Sequence, residues 1–290
     1  MHWTSTAGER YWEATASCPI FLLPELEALE ISCVKIGQRS SVDDDAGISA
    51  RLHPFTRQTN LKSLTITEGT VTATSLKLIL SLPKALQSLS YCETIHHLSE
   101  HSDVFATDDM VTFNAALAQQ SESLEDLNIM KAAHRVRICS LKLPDFKALT
   151  SLRLGPFTEQ TFISWTLSHP IPPSLEVLQL MHTSHHRPDD LFLAIQIDAL
   201  LQSAAVRGVP FTLDLVGPRV SKRIYENFLD RFKKRLKAQF SPSDDGPSQF
   251  DPPLRLQFTN FLRRNFIPPY LYGETKPLWI VYNLSKCDRS

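Results

Sequence analysis

Glycine is scarce in this 290-residue chain: there are nine. No GxGxxG, GxSxG or GxxxxGK[ST] string occurs, which excludes the Gly-rich phosphate loops and the nucleophile elbow. Neither sign of charge prevails, with 30 basic against 31 acidic residues and a net charge of -1. No overall field therefore recruits nucleic acid or a membrane surface, and such a partner would need a local patch. Long apolar runs are missing: none approaches the ~18 residues of a membrane span. The opening "MHWTSTAGERYWEATA" lacks the basic-then-apolar order of a secretory signal. The five cysteines (Cys18, Cys33, Cys92, Cys139, Cys287) are scattered, odd in number and form no CxxC. That pattern suits a reducing compartment, cytoplasm or nucleus, with thiols as small apolar fillers. The sequon at Asn283 is expected to be idle without a secretory signal. The closing "CDRS" has charge where a prenylation box needs aliphatic residues.

Metal and catalytic chemistry also lack a frame. His182, His185 and His186 share "HTSHHRPDD" with Asp189 and Asp190, but the segment follows a strand-like run, contains Pro and cannot set two His on one helix face. His96, His97 and His101 are a weaker set. Asp43, Asp44 and Asp45 resemble a fragment of a calcium loop without its spaced ligands and closing Glu, and read as a solvated charge run. Nothing fixes a Ser, a His and an Asp as a triad. The expectation is no metal, no cofactor and no enzymatic activity.

What is abundant is leucine, 40 residues of it, in a repeated phrase. "LEALEISC" starts at Leu26, "LKSLTITE" at Leu61, "LQSLSYCE" at Leu86, "LEDLNIMK" at Leu124, "LTSLRLGP" at Leu149 and "LEVLQLMH" at Leu175. Leu-x-x-Leu alone decides nothing, since chance yields about 5.5 such pairs and the chain has seven. Six of the seven carry a third apolar residue two places on: Ile31, Ile66, Tyr91, Ile129, Leu154 and Leu180. The starts lie 35, 25, 38, 25 and 26 residues apart. Three gaps fit the ~20–29 residues of a leucine-rich repeat and two suit a repeat with an inserted loop. "PFTLDLVG" at Pro210 is a weaker seventh unit.

Between phrases the apolar period changes from two to about 3.6. Helices are expected within 72–83, 107–120, 158–170 and 187–205, each opening near a Thr or Asp suited to an N-cap. Alternating strand and helix predicts an α/β solenoid, with a curved parallel sheet inside and helices outside, because each unit can bury its Leu and Ile only against its neighbours. The strand period then assigns faces. With the phrase leucines inward, the residues between them face out as one polar row: Glu30, Thr65, Ser90, Asn128, Arg153, Gln179 and Asp214. The flanking outward row holds Ser63, Ser88, Asp126, Ser151 and Thr212. Met130, Met181 and Val216 would add an apolar strip. Two readings of that strip stand: methionines tucked under neighbouring side chains, or a partly apolar recognition surface.

The phrases "ESLEDLNIM", "LPDFKALTSLRLGP" and "PPSLEVLQLMH" resemble the repeats of fungal F-box/leucine-rich-repeat proteins over roughly 23–180, weakening through 218. The resemblance implies an adaptor whose F-box docks on a ubiquitin-ligase core while the inner face of the solenoid presents a substrate protein. Two features depart from it. An F-box needs about 40 helical residues, only 22 precede Leu23, and no such module is found. The chain is then either part of a longer protein or a stand-alone scaffold or inhibitor-type binder. The ninth repeat position, where the family places Asn or Cys to bond turn backbone, holds Val34, Gly69, Thr94, Ala132, Phe157 and Thr183.

The domain expectation is an N-terminal cap over 1–22, the solenoid over 23–218 and an irregular C-terminal cap over 219–290. The cap opens with an amphipathic helix over 219–237. Its apolar stripe continues to Phe240, and its basic face includes Lys222, Arg223, Arg231, Lys233, Lys234, Arg235 and Lys237. A helix covering the last repeat is the expected role; an acidic-lipid, calmodulin-like or phosphate-backbone partner is the alternative. "SPSDDGPSQFDPP" over 241–253 reads as a loop. "LRLQF" at Leu254 and "LWIVYNL" at Leu278 read as strands that either extend the sheet or close a small cap.

Overall fold

The structure, a computed structural model, describes residues 2–6, 9–37, 42–67, 69–92, 110–130, 143–157, 171–182, 200, 210–217, 254–261 and 279–283. The chain divides into two compact units, Met1–Leu152 and Arg153–Ser290. It is an α/β protein with parallel sheets.

In the first unit β1 (His2–Thr6) and β2 (Glu9–Ala14) form an antiparallel pair. They are followed by β3 (Ala28–Ser32), β4 (Val34–Ile36), α1 (Val42–Leu52), β5 (Ser63–Thr67) and β6 (Thr70–Val71). Then come α2 (Ala73–Ser81), β7 (Ser88–Cys92), α3 (Met110–Ala118) and β8 (Asp126–Met130). Strands β3, β5, β7 and β8 lie side by side in that order, all parallel. No register slip occurs: Leu29, Leu64, Leu89 and Leu127 are opposite one another, as are Ile31, Ile66, Tyr91 and Ile129. All eight are buried. A one-residue slip would turn every one of them outward, and burying each large apolar side chain is worth roughly 1.5–3 kcal/mol.

The same backbone step repeats at every rung. The Glu27 carbonyl accepts the Lys62 and Ser63 N–H groups, and the Lys62 carbonyl accepts those of Gln87 and Ser88. The Gln87 carbonyl accepts Glu125 and Asp126, and that of Glu125 accepts Thr150 and Ser151. Each accepting carbonyl belongs to the second residue of a phrase. The phrase is thus a structural period, with the peptide unit ahead of each strand locked to its predecessor.

Among the described residues, the turns after β3 and β5 close without side-chain help from the ninth position, which holds Val34 and Gly69. Cys33 takes the left-handed conformation (φ 55), which few non-glycine residues adopt. It turns the chain from β3 into β4, and its N–H donates to the Thr67 carbonyl at 3.0 Å. In the next unit the Gly69 N–H, at the position that aligns with Val34, donates to the Cys92 carbonyl at 3.4 Å. A Cβ on Gly69 would sit 2.9 Å from the Val34 carbonyl oxygen, so this close approach of backbones needs glycine. Beyond the turns, β2, β4 and β6 are joined in parallel, and with β1 they make a second, four-stranded sheet. Tyr11 and Trp12 lie within β2. The Trp12 indole N–H donates to the Ser32 carbonyl at 3.1 Å.

The helices follow the sequence period where they are described. α2 begins where the Thr72 hydroxyl caps the Ser75 N–H at 3.2 Å, and it buries Leu76, Ile79 and Leu80 at i, i+3 and i+4. α3 falls within the expected 107–120 segment. α1 shows that the segment holding Asp43, Asp44 and Asp45, read from the sequence as a solvated charge run, is helical. Its first turn contains Asp43, Asp44 and Asp45, and acidic residues at a helix N-terminus oppose the positive end of the dipole. The expected helices over 158–170, 187–205 and 219–237 lie outside the described residues, apart from Leu200, which is helical and buried.

β9 (Ser151–Phe157) crosses the boundary between the units. In the second unit β10 (Val177–His182), β11 (Phe211–Gly217) and β12 (Leu254–Phe261) are parallel, and β13 (Trp279–Asn283) runs antiparallel to β12. The two C-terminal strands therefore extend the sheet that β11 belongs to. Among the described residues no helix is long and apolar enough to cross a membrane.

Candidate functional site

The outward side of β3, β5, β7 and β8 carries three straight rows of side chains, because the ladder has no slip and alternate residues share a face. The middle row runs Glu30, Thr65, Ser90, Asn128 by direct register. Glu30 is exposed and the other three are half-buried. On one side lie Ala28, Ser63, Ser88 and Asp126, and on the other Ser32, Thr67, Cys92 and Met130. Cross-strand hydrogen bonds order the rows: the Asn128 amide donates to the Ser90 hydroxyl at 3.0 Å, and the Ser32 and Thr67 hydroxyls share a bond of 2.6 Å. Two acceptors on β8 differ from the rest. Asp126 Oδ1 and Asn128 Oδ1 are both shut off from solvent and accept no hydrogen bond.

In the second unit Gln179, Asp214 and Gln257 are in register across β10, β11 and β12. The Gln179 amide donates to Asp214 Oδ2 at 2.7 Å. Asp214 is only 6 % exposed, so it does not face water as the strand period implies. A buried carboxylate requires such a donor. Val216 is 1 % exposed and joins the core, whereas Met130 and Met181 are half-buried. Arg153 is exposed. The basic patch of Lys222, Arg223, Arg231, Lys233, Lys234, Arg235 and Lys237 lies outside the described residues, as do the His96 set and, apart from His182 at the end of β10, the His182, His185 and His186 set.

Sequence reasoning missed a polar node between the chain returns. The buried Gln120 side chain accepts from the Leu86 N–H at 3.0 Å and donates to the Leu80 carbonyl at 2.7 Å and the Pro83 carbonyl at 3.3 Å. Arg57, also left-handed (φ 58), reaches Gln120 Oε1 at 3.3 Å and the Lys84 carbonyl at 3.1 Å, and donates to the Gln119 carbonyl. These bonds join segments up to 63 residues apart. No local pattern announces them, and their work is to satisfy turn backbone. Nearby, Ser49, His53, Thr56, Lys77, Ser81 and Gln119 line part of an open groove of about 310 Å³.

Comparison with protein-family models, with curated proteins and with solved structures gives no match. The functional reading therefore stands on the chain's own chemistry.

Proposed function

We propose that the chain is a protein-recognition module of the leucine-rich-repeat kind, a solenoid whose outward strand rows hold a partner protein. One observation carries the reading: β3, β5, β7 and β8 stack mostly small or polar side chains in straight outward rows over a buried inward face of leucine, isoleucine and Tyr91. Small, ordered side chains leave room for another chain to lie close and offer hydrogen-bonding groups at fixed spacing. In the second unit Arg153, Gln179 and Met181 provide polar and apolar contacts of the same kind, and Asp214 acts through Gln179. The ubiquitin-ligase setting rests on the repeat resemblance alone. An in-frame F-box in the transcript upstream of Met1 supports an adaptor, and a stop codon there supports a stand-alone scaffold or inhibitor-type protein.

Affinity capture from the protein's own cells tests the face, with Thr65→Arg and Arg153→Glu compared with the wild type. Both positions are at least partly solvent-exposed, so folding is expected to survive, as circular dichroism can verify. Loss of the same partner from both variants supports recognition through the strand rows. Retention of every partner by both overturns it.

A further inference from the structure

We infer that the free edge of β3 adds a strand from another protein, an extended segment with apolar side chains at alternate positions and a lysine or arginine beside Glu30. The inference concerns main-chain groups at the end of the sheet and is independent of the outward rows. β3 is the terminal strand of its sheet and pairs with β5 alone. The Glu27 carbonyl and the Cys33 N–H are both spent on β5. A parallel ladder alternates, so Leu29 and Ile31, which lie between them, also face β5. Ala28, Glu30 and Ser32 therefore turn their N–H and C=O groups the other way. The Ser32 carbonyl is taken by the indole N–H of Trp12, from β2, at 3.1 Å. The main-chain groups of Ala28 and Glu30 meet no partner among the described residues, and both residues are exposed. Two N–H and two C=O groups are thus left open, in sets roughly 6.6 Å apart along one line.

Such a row is a template for one more strand, which an extended peptide fills by main-chain hydrogen bonds. The side chains say what kind. Leu29 and Ile31 point inward and keep 8 % and 6 % of their surface exposed, against 0 % for Leu64 and Ile66 one strand further in. An added strand with apolar residues on that face completes their cover. On the outward face Glu30 is exposed and makes no ion pair among the described residues. A cation opposite or diagonal to it is favoured, and an anion is not. The same carboxylate argues against a second copy of this chain. In the antiparallel register that engages all the open groups, Glu30 lies opposite Ala28 of the other copy. The two Glu30 carboxylates then become diagonal neighbours on one face and repel. Charge on an edge strand guards against self-pairing of this kind, whereas a basic foreign strand neutralises it.

The test is a selection of degenerate decapeptides on the full chain, followed by amide hydrogen exchange and by backbone N-methylation of a selected peptide. The expected peptides alternate apolar residues with positions enriched in Lys or Arg. Bound peptide should slow exchange at Ala28 and Glu30 by about tenfold or more, and N-methylation should abolish binding at alternate positions only. Glu30→Pro removes an N–H that the β3–β5 ladder does not use. It should leave the melting temperature near that of the wild type and weaken the peptide by about tenfold. Glu30→Lys keeps the N–H and should reverse the preference to Asp and Glu, so the test stays usable should proline disturb β3. Peptides that leave both amides unprotected, or a Lys and Arg preference that survives Glu30→Lys, overturn the inference, as does a selection that yields no peptide. Sedimentation that shows a dimer with the same two amides protected assigns the edge to a second copy and overturns the foreign strand. None of these results depends on capture by Thr65→Arg, so the recognition reading stands or falls separately.

Discussion

Gln120 holds its side-chain oxygen 3.0 Å from the Leu86 backbone nitrogen, 34 residues earlier in the chain, while being 1 % exposed. A single amide thus satisfies a turn N–H and, through Nε2, two carbonyls of the preceding return. Repeat proteins of the resembled family bond turn backbone from the ninth position, which here holds residues such as Val34 and Gly69 that cannot. Ladder bonds and Gln120 supply part of that satisfaction from other places in the chain.

Replacing Gln120 with Leu keeps the volume and strips the polar atoms. It leaves the Leu86 N–H and the Leu80 and Pro83 carbonyls without this partner. The expected loss is about 2–4 kcal/mol, read as a lower urea midpoint with an unchanged slope. An unshifted midpoint would show that water replaces the amide.

The two faces of β7 and β8 should respond oppositely to truncation. Leu127 is fully buried, so Leu127→Ala should cost about 2–5 kcal/mol. Ser88 lies half-buried on the outward face of the adjacent strand, and Ser88→Ala should change stability by no more than about 0.5 kcal/mol. Equal losses at the two sites would refute the assignment of faces.

Gly37 sits at φ 136, and a Cβ there would run into the Thr72 side chain that caps α2. Gly37→Ala should therefore strain the backbone and displace the cap together, costing about 2 kcal/mol or more. Thermal melting of Gly37→Ala beside Gly47→Ala, whose Cβ meets open space, separates this from a general glycine effect.

Lys147 donates to Glu122 at 2.7 Å on the surface. That hydrogen bond, reinforced by the Glu122 charge, raises the ammonium pKa above its ordinary value. A raised folded-state pKa means that the pair's contribution is present at neutral pH and is lost as pH climbs through the folded pKa. Both groups are exposed, so added salt should erase it as well. A direct check is the NMR titration of the Lys147 side chain, which should shift downward in Glu122→Gln.

The rungs were legible because one physical rule connects sequence to structure there. Side chains alternate along a strand, so Leu-x-x-Leu-x-Ile fixes which residues are buried once strands lie in register. α2 was legible for a similar reason: Thr72, an apolar 3.6-residue period and Pro83 mark its ends. α1 was not, since Asp43, Asp44 and Asp45 suggest a solvated loop unless their fit to a helix N-terminus is weighed. The small second sheet was hidden too. β4 and β6 are three and two residues long, and they exist only because the chain turns at Cys33 and Gly69. Asp214 shows the limit of the period rule. Its register is as expected, but whether a side chain meets water depends on what covers it.

The amino-acid sequence alone determined the repeated unit, the inward leucines and the polar character of the outward rows, because these follow from local periodicity and burial of apolar surface. Tertiary structure decided which outward groups remain open, which are paired, and where turn backbone finds its partners. Those outcomes depend on atoms brought together from distant rungs: Asn128 with Ser90, Gln179 with Asp214, Gln120 with Leu86. Hydrogen bonds act over about 3 Å in space and carry no trace of separation along the chain.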